Sequence, residues 1–321
     1  MTELFEPILG RFPESIDITN SEIQTFKDCR RKWYLNYYLG LKPKEVSKMG
    51  PLPLGTRVHD SLELYYTDDI DPVITYNKLA GEDKRLFLLS EESNDESKEK
   101  KFNSELELGR IMVEGYKEWI EENNLDADME FVSAEKAVNY HVDFDGTDVN
   151  LMGKIDLKMK NKIDDTIHIV DHKTTAASAW QNYTKYSHMS EQLMYYITLS
   201  KAVGEDVDGA IYNLLKKVKR SGTAKPPFYD RITVRFNPSQ LDAFWNRTMS
   251  TIHDIVDVRN RLDGGESHLT AVYPRPSNEC SWKCDFFKMC TMMDDGSSYD
   301  RFLGDFYEKR DPNERYGKEE K

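Results

Sequence analysis

At 321 residues, with 39% hydrophobic and 12% aromatic side chains, the chain carries enough apolar material for a sizeable core, as one elaborated domain or two. A net charge of -13 excludes binding to nucleic acid by bulk electrostatics, although a local basic groove can coexist with an acidic exterior. No apolar run reaches the ~18 residues that span a bilayer, and the opening MTELFEPILGRFPESID lacks the basic start and apolar block of a secretory signal. The expectation is a soluble cytoplasmic protein with no membrane partner.

Residues 1–18 read as an irregular lead-in. Thr19 and Glu22 then stand in capping-box spacing, and Ile23, Phe26, Arg30, Trp33 and Tyr37 follow the helical period. One helix through TNSEIQTFKDCRRKWYLNYYLGL is predicted, with Gly40 as its C-cap and Cys29 facing inward. A second helix covers 54–66 and carries His59 one turn before Glu63. The polar run SEESNDESKEKK (90–101) predicts a mobile loop, followed by a long helix at about 104–123.

The period then changes. MEFVSAEKAVNYHVDF, VNLMGKIDLKMK and TIHIVDHKTT read as three strands, with turn signals at Asp145-Gly146 and at NKIDD. Connections this short imply an antiparallel meander. A helix at 186–204, strands in GAIYNLLKKV and FYDRITVRF, and a long helix at 238–262 complete the reading. The expected fold is α/β, a mixed central sheet flanked by helices. Residues 1–292 would form a single domain with its core at about 129–236, and 293–321 a polar tail prone to disorder.

Chemistry concentrates on two of these strands. Alternation puts Asp156 on the face opposite Ile155, Leu157 and Met159, while Asp171 and Lys173, two residues apart, share one side of the next strand. Across a short hairpin the two carboxylates would converge. Like charges at close range raise one another's pKa unless a cation sits between them, and hard oxygen donors suit Mg²⁺ or Mn²⁺. Lys173 would neutralise charge on a third party, most simply a phosphate under attack by metal-activated water. A surface hairpin of alternating charge is the competing reading. Ile167, Ile169 and Val170 disfavour it, because they make the strand apolar on both faces just before Asp171.

GKIDL followed by IVDHKT resembles the PD-(D/E)xK nuclease superfamily, specifically its RecB-like branch and a restriction-endonuclease-like fold. That branch carries Gln-x-x-x-Tyr on the helix after the lysine strand, which EQLMYY matches with Gln192 and Tyr196. It also carries an upstream helical His, matched by His59 in GTRVHDSLE. The resemblance implies metal ligation by His59, Asp156, Asp171 and the main-chain carbonyl of His172. It assigns charge stabilisation or water orientation to Lys173, and support of the site or DNA contact to Gln192 and Tyr196. The implied activity is a metal-dependent DNA nuclease, acting as an exonuclease on single strands or ends. Replication, recombination or repair proteins are the implied partners, in a bacterial or phage-infected cytoplasm. A module that keeps the fold and binds DNA without turnover is the alternative, and a hydrolase of another phosphoester is a third.

Cysteine placement is uneven, with Cys29 alone and Cys280, Cys284 and Cys290 close together, which reads as ligands and not disulfides. Members of the same branch hold a [4Fe–4S] cluster with one Cys before the core and three after it, stapling 19–124 to 238–292. Here the first two of the late cysteines stand one residue further apart than in the commoner family pattern, which keeps Zn²⁺ on four thiolates open. Basic clusters at Arg30 and Arg31, and at Lys216, Lys217, Lys219 and Arg220 in a stretch free of Asp and Glu, are candidate DNA contacts.

Overall fold

The computed structural model describes residues 15–45 and 47–316. In chain order these form β1 (Ser15–Thr19), α1 (Asn20–Asp28), α2 (Arg30–Trp33), a π-helical turn (Tyr34–Tyr38), β2 (Leu41–Pro43), α3 (Pro51–Asp68), α4 (Pro72–Leu88) and α5 (Glu96–Glu122). Next come β3 (Met129–Phe144), β4 (Thr147–Asn161), β5 (Ile167–Thr175), α6 (Trp180–Tyr186), α7 (Glu191–Ala202), β6 (Gly209–Lys216) and β7 (Tyr229–Val234). The chain closes with α8 (Pro238–Asp263), α9 (His268–Ala271), α10 (Cys280–Lys283), α11 (Phe287–Asp295), α12 (Asp300–Phe306) and β8 (Tyr307–Lys309). Among the described residues no helix is long and apolar enough to cross a membrane.

The backbone divides into two compact units. One comprises the described residues within 1–46, 137–153 and 239–321; the other is 47–136 with 154–238. In the first, β1 runs parallel to the early half of β4, Ser15 opposite Asp148 and Thr19 opposite Met152. β3 turns into β4 at Asp145 and Gly146, both at positive φ (53° and 87°), the backbone that a tight hairpin of this twist requires. Thr19 caps α1 as expected, its Oγ1 accepting from Glu22 N at 3.2 Å. The capping box closes only on that side. The fully buried Glu22 carboxylate turns instead to Trp33 Nε1 (2.8 Å) and Arg259 Nη2 (3.2 Å).

The second unit is built on a mixed sheet. The late half of β4 is antiparallel to β5, with Leu157 opposite Val170. β5 is parallel to β6, with Asp171 opposite Tyr212, and β6 is antiparallel to β7. Every residue of β6 is buried, as an inner strand covered on both faces must be. Helices α3, α5 and α7 pack on this sheet. Leu54, Val58 and Leu62 of α3 meet Met112, Val113, Tyr116 and Ile120 of α5 in one apolar cluster.

Several expectations are corrected. Residues 15–18 of the supposed lead-in are sheet, because pairing beside β4 satisfies their backbone and buries Ser15, Asp17 and Ile18 despite the polar company; residues 1–14 lie outside the described set. The helix expected through 19–41 breaks at Cys29, which is extended (φ -161°, ψ 111°), so Cys29 sits in a break and not on a helix face. The run 90–101 is ordered: Asp95 accepts from Ser97 N and Lys98 N and starts α5 well ahead of 104. The helix expected at 186–204 is α7 alone, started by Ser190 accepting from Leu193 N. The supposed tail is ordered as far as Tyr316, with α12 followed by β8, which pairs antiparallel to β2. Helix α4 was not expected, since its apolar residues do not keep to one helical face: Ile74, Leu86 and Leu88 face solvent.

One glycine is fixed by packing. A Cβ on Gly109 of α5 would collide with the buried Tyr76 ring of α4 and press Leu54 Cδ1 at 2.7 Å. Gly109→Ala is expected to lower stability by about 2 kcal/mol in urea unfolding, as overpacking does, despite alanine's better helix propensity. A stabilised variant would show that α4 and α5 are not seated this closely.

Candidate active site

Strand register builds the centre of the site. The paired ladder between β4 and β5 stops at Leu157–Val170, so the next residues outward are Asp156 and Asp171. β5 is anchored by Ile169 and Val170, each 1% exposed, and it therefore delivers its polar end rigidly. The Asp156 Oδ2 accepts from the His172 main-chain N–H at 3.0 Å and lies 3.3 Å from Nδ1 of His59, which α3 brings across. Lys173 Nζ lies 2.7 Å from Asp171 Oδ2. On α7, Gln192 Nε2 donates to Tyr196 Oη at 3.3 Å, and Tyr196 is near enough to Lys173 to bear on its charge.

Electrostatics separates the two carboxyls. Burial alone would push both up. For Asp156 the adjoining His59, with Lys173, reverses this and holds it well below the usual carboxylate range. Asp171 stays raised by burial and by the Asp156 charge, in spite of Lys173. The cations answer in kind: burial opposes charge on His59 and Lys173, yet the carboxylates raise both. Asp171 Oδ2 is buried and, although ion-paired by distance, receives no well-aligned hydrogen bond.

These residues fit a divalent cation by donor chemistry. Two carboxylates and an imidazole lie in one neighbourhood, and one buried carboxylate oxygen has no aligned hydrogen-bond donor, leaving its lone pairs for a Mg²⁺ or Mn²⁺. In the present arrangement Asp156 is engaged by His59 and Asp171 by Lys173. Among the described residues no three His, Cys, Asp or Glu side chains stand gathered at metal-binding distances.

The imidazole of His172 is occupied elsewhere. Asn213 Nδ2 donates to its Nδ1 at 2.7 Å and to Tyr116 Oη at 2.7 Å. Tyr66 stacks on the ring at 5.9 Å, and Arg231 binds Tyr66, Tyr116 and Asp126. Burial pushes His172 down to about 3, so the ring is neutral at ordinary pH.

Sequence reasoning missed several neighbours. Tyr212 stands opposite Asp171 inside an apolar run that gave no sign of a site. Glu135 holds a left-handed backbone (φ 48°) in β3 and pairs with Lys154. Burial, and then Glu135, push Glu63 up to about 7, one helical turn from His59. Of the expected DNA-contacting cations, several have internal partners. Arg31 is 2% exposed and binds Asp294 Oδ2 at 2.7 Å; Lys216, 9% exposed, lies over Trp180 at 4.7 Å. Arg30 lies over Phe26, Arg220 over Phe228, and Lys219 pairs with Glu107, while Lys217 is half-buried, which lowers its pKa. A side chain buried against its own protein presents no charge to a phosphate, so Arg31 and Lys216 are corrected to structural cations.

In the other unit the four cysteines are free and partly buried, and all line one cavity of about 430 Å³. Amides point at the sulfurs: Lys32 N and Arg275 N approach Cys29 Sγ (3.5 and 3.4 Å), and Ser277 N approaches Cys280 Sγ (3.3 Å). Arg31 Nη1 lies 3.7 Å from Cys290 Sγ. Burial raises the Cys284 and Cys290 thiols, and the neighbouring sulfurs add to it.

The depressed His172 sets a sign for pH. Its folded value, about 3, lies below the ordinary ~6.5, so the unfolded chain binds a proton that the folded chain refuses. This contribution is full above pH ~6.5 and is lost as pH falls towards the folded value. Wild type is expected to lose stability on acidification more steeply than His172→Gln, by up to about 1.4 kcal/mol per pH unit in urea titrations. Parallel pH profiles would contradict a neutral buried ring.

The profile of the PD-(D/E)XK nuclease superfamily matches residues 17–291. No curated protein matches the chain. A solved crystal structure of SSO0001 matches with 14% sequence identity and a TM-score of 0.29, covering 57% of this chain and 75% of that one. The superfamily match spans both strands of the carboxylate–lysine site and reaches all four cysteines. The chain belongs to the PD-(D/E)XK nuclease superfamily.

Proposed function

We propose that the protein is a Mg²⁺- or Mn²⁺-dependent deoxyribonuclease of the RecB-like branch, an exonuclease on single-stranded DNA or DNA ends. The observation that carries this reading is the convergence of His59, Asp156, Asp171 and Lys173 at the end of one buried hairpin. In this reading His59, Asp156, Asp171 and the His172 carbonyl hold the ion. When bound, a divalent ion binds the scissile phosphate and lowers the pKa of an attacking water. Lys173, released from its ion pair with Asp171, would stand against the negative charge growing on the phosphate. Gln192 and Tyr196, hydrogen-bonded to each other on α7, would fix the position of the lysine from behind. Protonated His59 would give up its proton on metal binding, so loading favours higher pH.

The same reading gives the four cysteines a [4Fe–4S] cluster. Its support is the shared cavity and the N–H groups directed at sulfur, which stabilise ligating thiolates. Four unpaired thiols also fit a reducing cytoplasm, and DNA replication, recombination or repair proteins are the fitting partners.

End-labelled DNA incubated with Mg²⁺ or Mn²⁺ tests the first part. Wild type is expected to degrade it, and Asp171→Ala and Lys173→Ala to lose at least about 10²-fold in rate, the scale of losing one preorganised charge. Equal cutting by these variants would sink the assignment. For the second part, protein purified without oxygen is expected to be brown with roughly four irons per chain. Colourless protein with stoichiometric zinc would replace the cluster by a tetrahedral Zn²⁺ site.

A further inference from the structure

Helix α6 is held from beneath and bare on top. Trp180 at its start is buried, with Lys216 Nζ 4.7 Å over the ring. One turn later Tyr183 sets its ring edge-on against Tyr212, centroids 5.3 Å apart at 78°. The Tyr212 hydroxyl meets Ser190 Oγ, the N-cap of α7, at 2.5 Å. Tyr212 is the strand partner of Asp171, so this tyrosine pair forms the wall of the site on the β6 side, opposite β4. Asp171 and Lys173 both bear electrostatically on the two tyrosines.

The outer positions of α6 contrast with this. Gln181, Asn182, Thr184, Lys185 and Tyr186 are exposed. Tyr186 is 60% exposed and lies one helical turn beyond Tyr183, its neighbour along the helix surface but turned out to solvent. An exposed aromatic ring alone means little. Here it follows Lys185, also exposed, on a helix whose Tyr183 lines the wall of the carboxylate–lysine centre.

We propose that α6 is a stacking platform for single-stranded DNA beside the phosphate site. An unpaired base stacks on Tyr186, Lys185 meets the backbone phosphate, and the Tyr183–Tyr212 contact sets the platform's position relative to Asp171 and Lys173. Any base offers a π-face, so the platform is tolerant of sequence. A base inside a duplex has both faces covered by its neighbours, so the substrate class is single-stranded. The inference rests on the nuclease reading for its choice of ligand.

Binding is measured on the full chain with oligo-dT carrying one 2-aminopurine, in EDTA so that no cleavage occurs, beside a closed blunt duplex. Tyr186→Ala is expected to weaken single-strand binding about tenfold and to reduce quenching of 2-aminopurine. Tyr186→Trp is expected to restore both, with duplex binding little changed across the set. Wild-type single-strand affinity in Tyr186→Ala, or equal loss on single strand and duplex, overturns the platform. Cleavage of the same oligonucleotide with Mn²⁺ separates the two ideas. Tyr186-dependent binding without any cutting supports the platform and removes the nuclease reading; normal cutting with binding indifferent to Tyr186 overturns the platform alone.

Discussion

The second unit is organised around two carboxylates that cannot share a buried site unaided. Asp156 and Asp171 stand at the end of a hairpin whose inner residues are almost inaccessible, and each raises the cost of charge on the other. His59 and Lys173 are the cations that make the arrangement tolerable, one from a helix and one from the strand itself. Much else follows. Strand β6 must be buried throughout to hold β5 rigid, and α3 must lie against β5 to bring His59 within reach. The pair is asymmetric, with Asp156 held ionised and Asp171 pushed towards protonation, so the two groups are not interchangeable.

A second buried polar system supports the first. Asn213, Tyr116, Tyr66, Arg231 and Asp126 form a continuous hydrogen-bonded set that ends on the His172 ring. Its members hold one another in place in a low-dielectric interior, although Asn213 Oδ1 and Arg231 Nε are buried without a hydrogen-bond partner. Its consequence is geometric: the His172 ring is pinned, and with it the main-chain N–H that binds Asp156. The most conspicuous histidine of the motif thus contributes through its backbone and its packing.

The cysteine pocket follows similar logic in different chemistry. Cys29 lies in a break between α1 and α2, where extended backbone frees its sulfur to accept from Lys32 N. Its cavity also receives Arg31, a charge buried to 2% exposure against Cys290 and Asp294. That guanidinium lies 3.7 Å from Cys290 Sγ and works against the burial that otherwise raises this thiol.

The amino-acid sequence by itself determined the local terms. Alternation in MGKIDLKMK and the apolar approach of IHIV placed Asp156, Asp171 and Lys173 on neighbouring strands, and short turns made those strands a hairpin. These are periodicities of a few residues and need no distant partner. Tertiary structure alone decided what depends on distant neighbours. Tyr212 became part of the site because parallel pairing sets it opposite Asp171, and Arg31 and Lys216 ceased to be free cations because Asp294 and Trp180 reached them. Strand β1 and the β2–β8 pair were illegible because segments this short carry little periodic signal and are held by partners far along the chain. Local pattern fixes which face a side chain takes; only the packed chain fixes what that face meets.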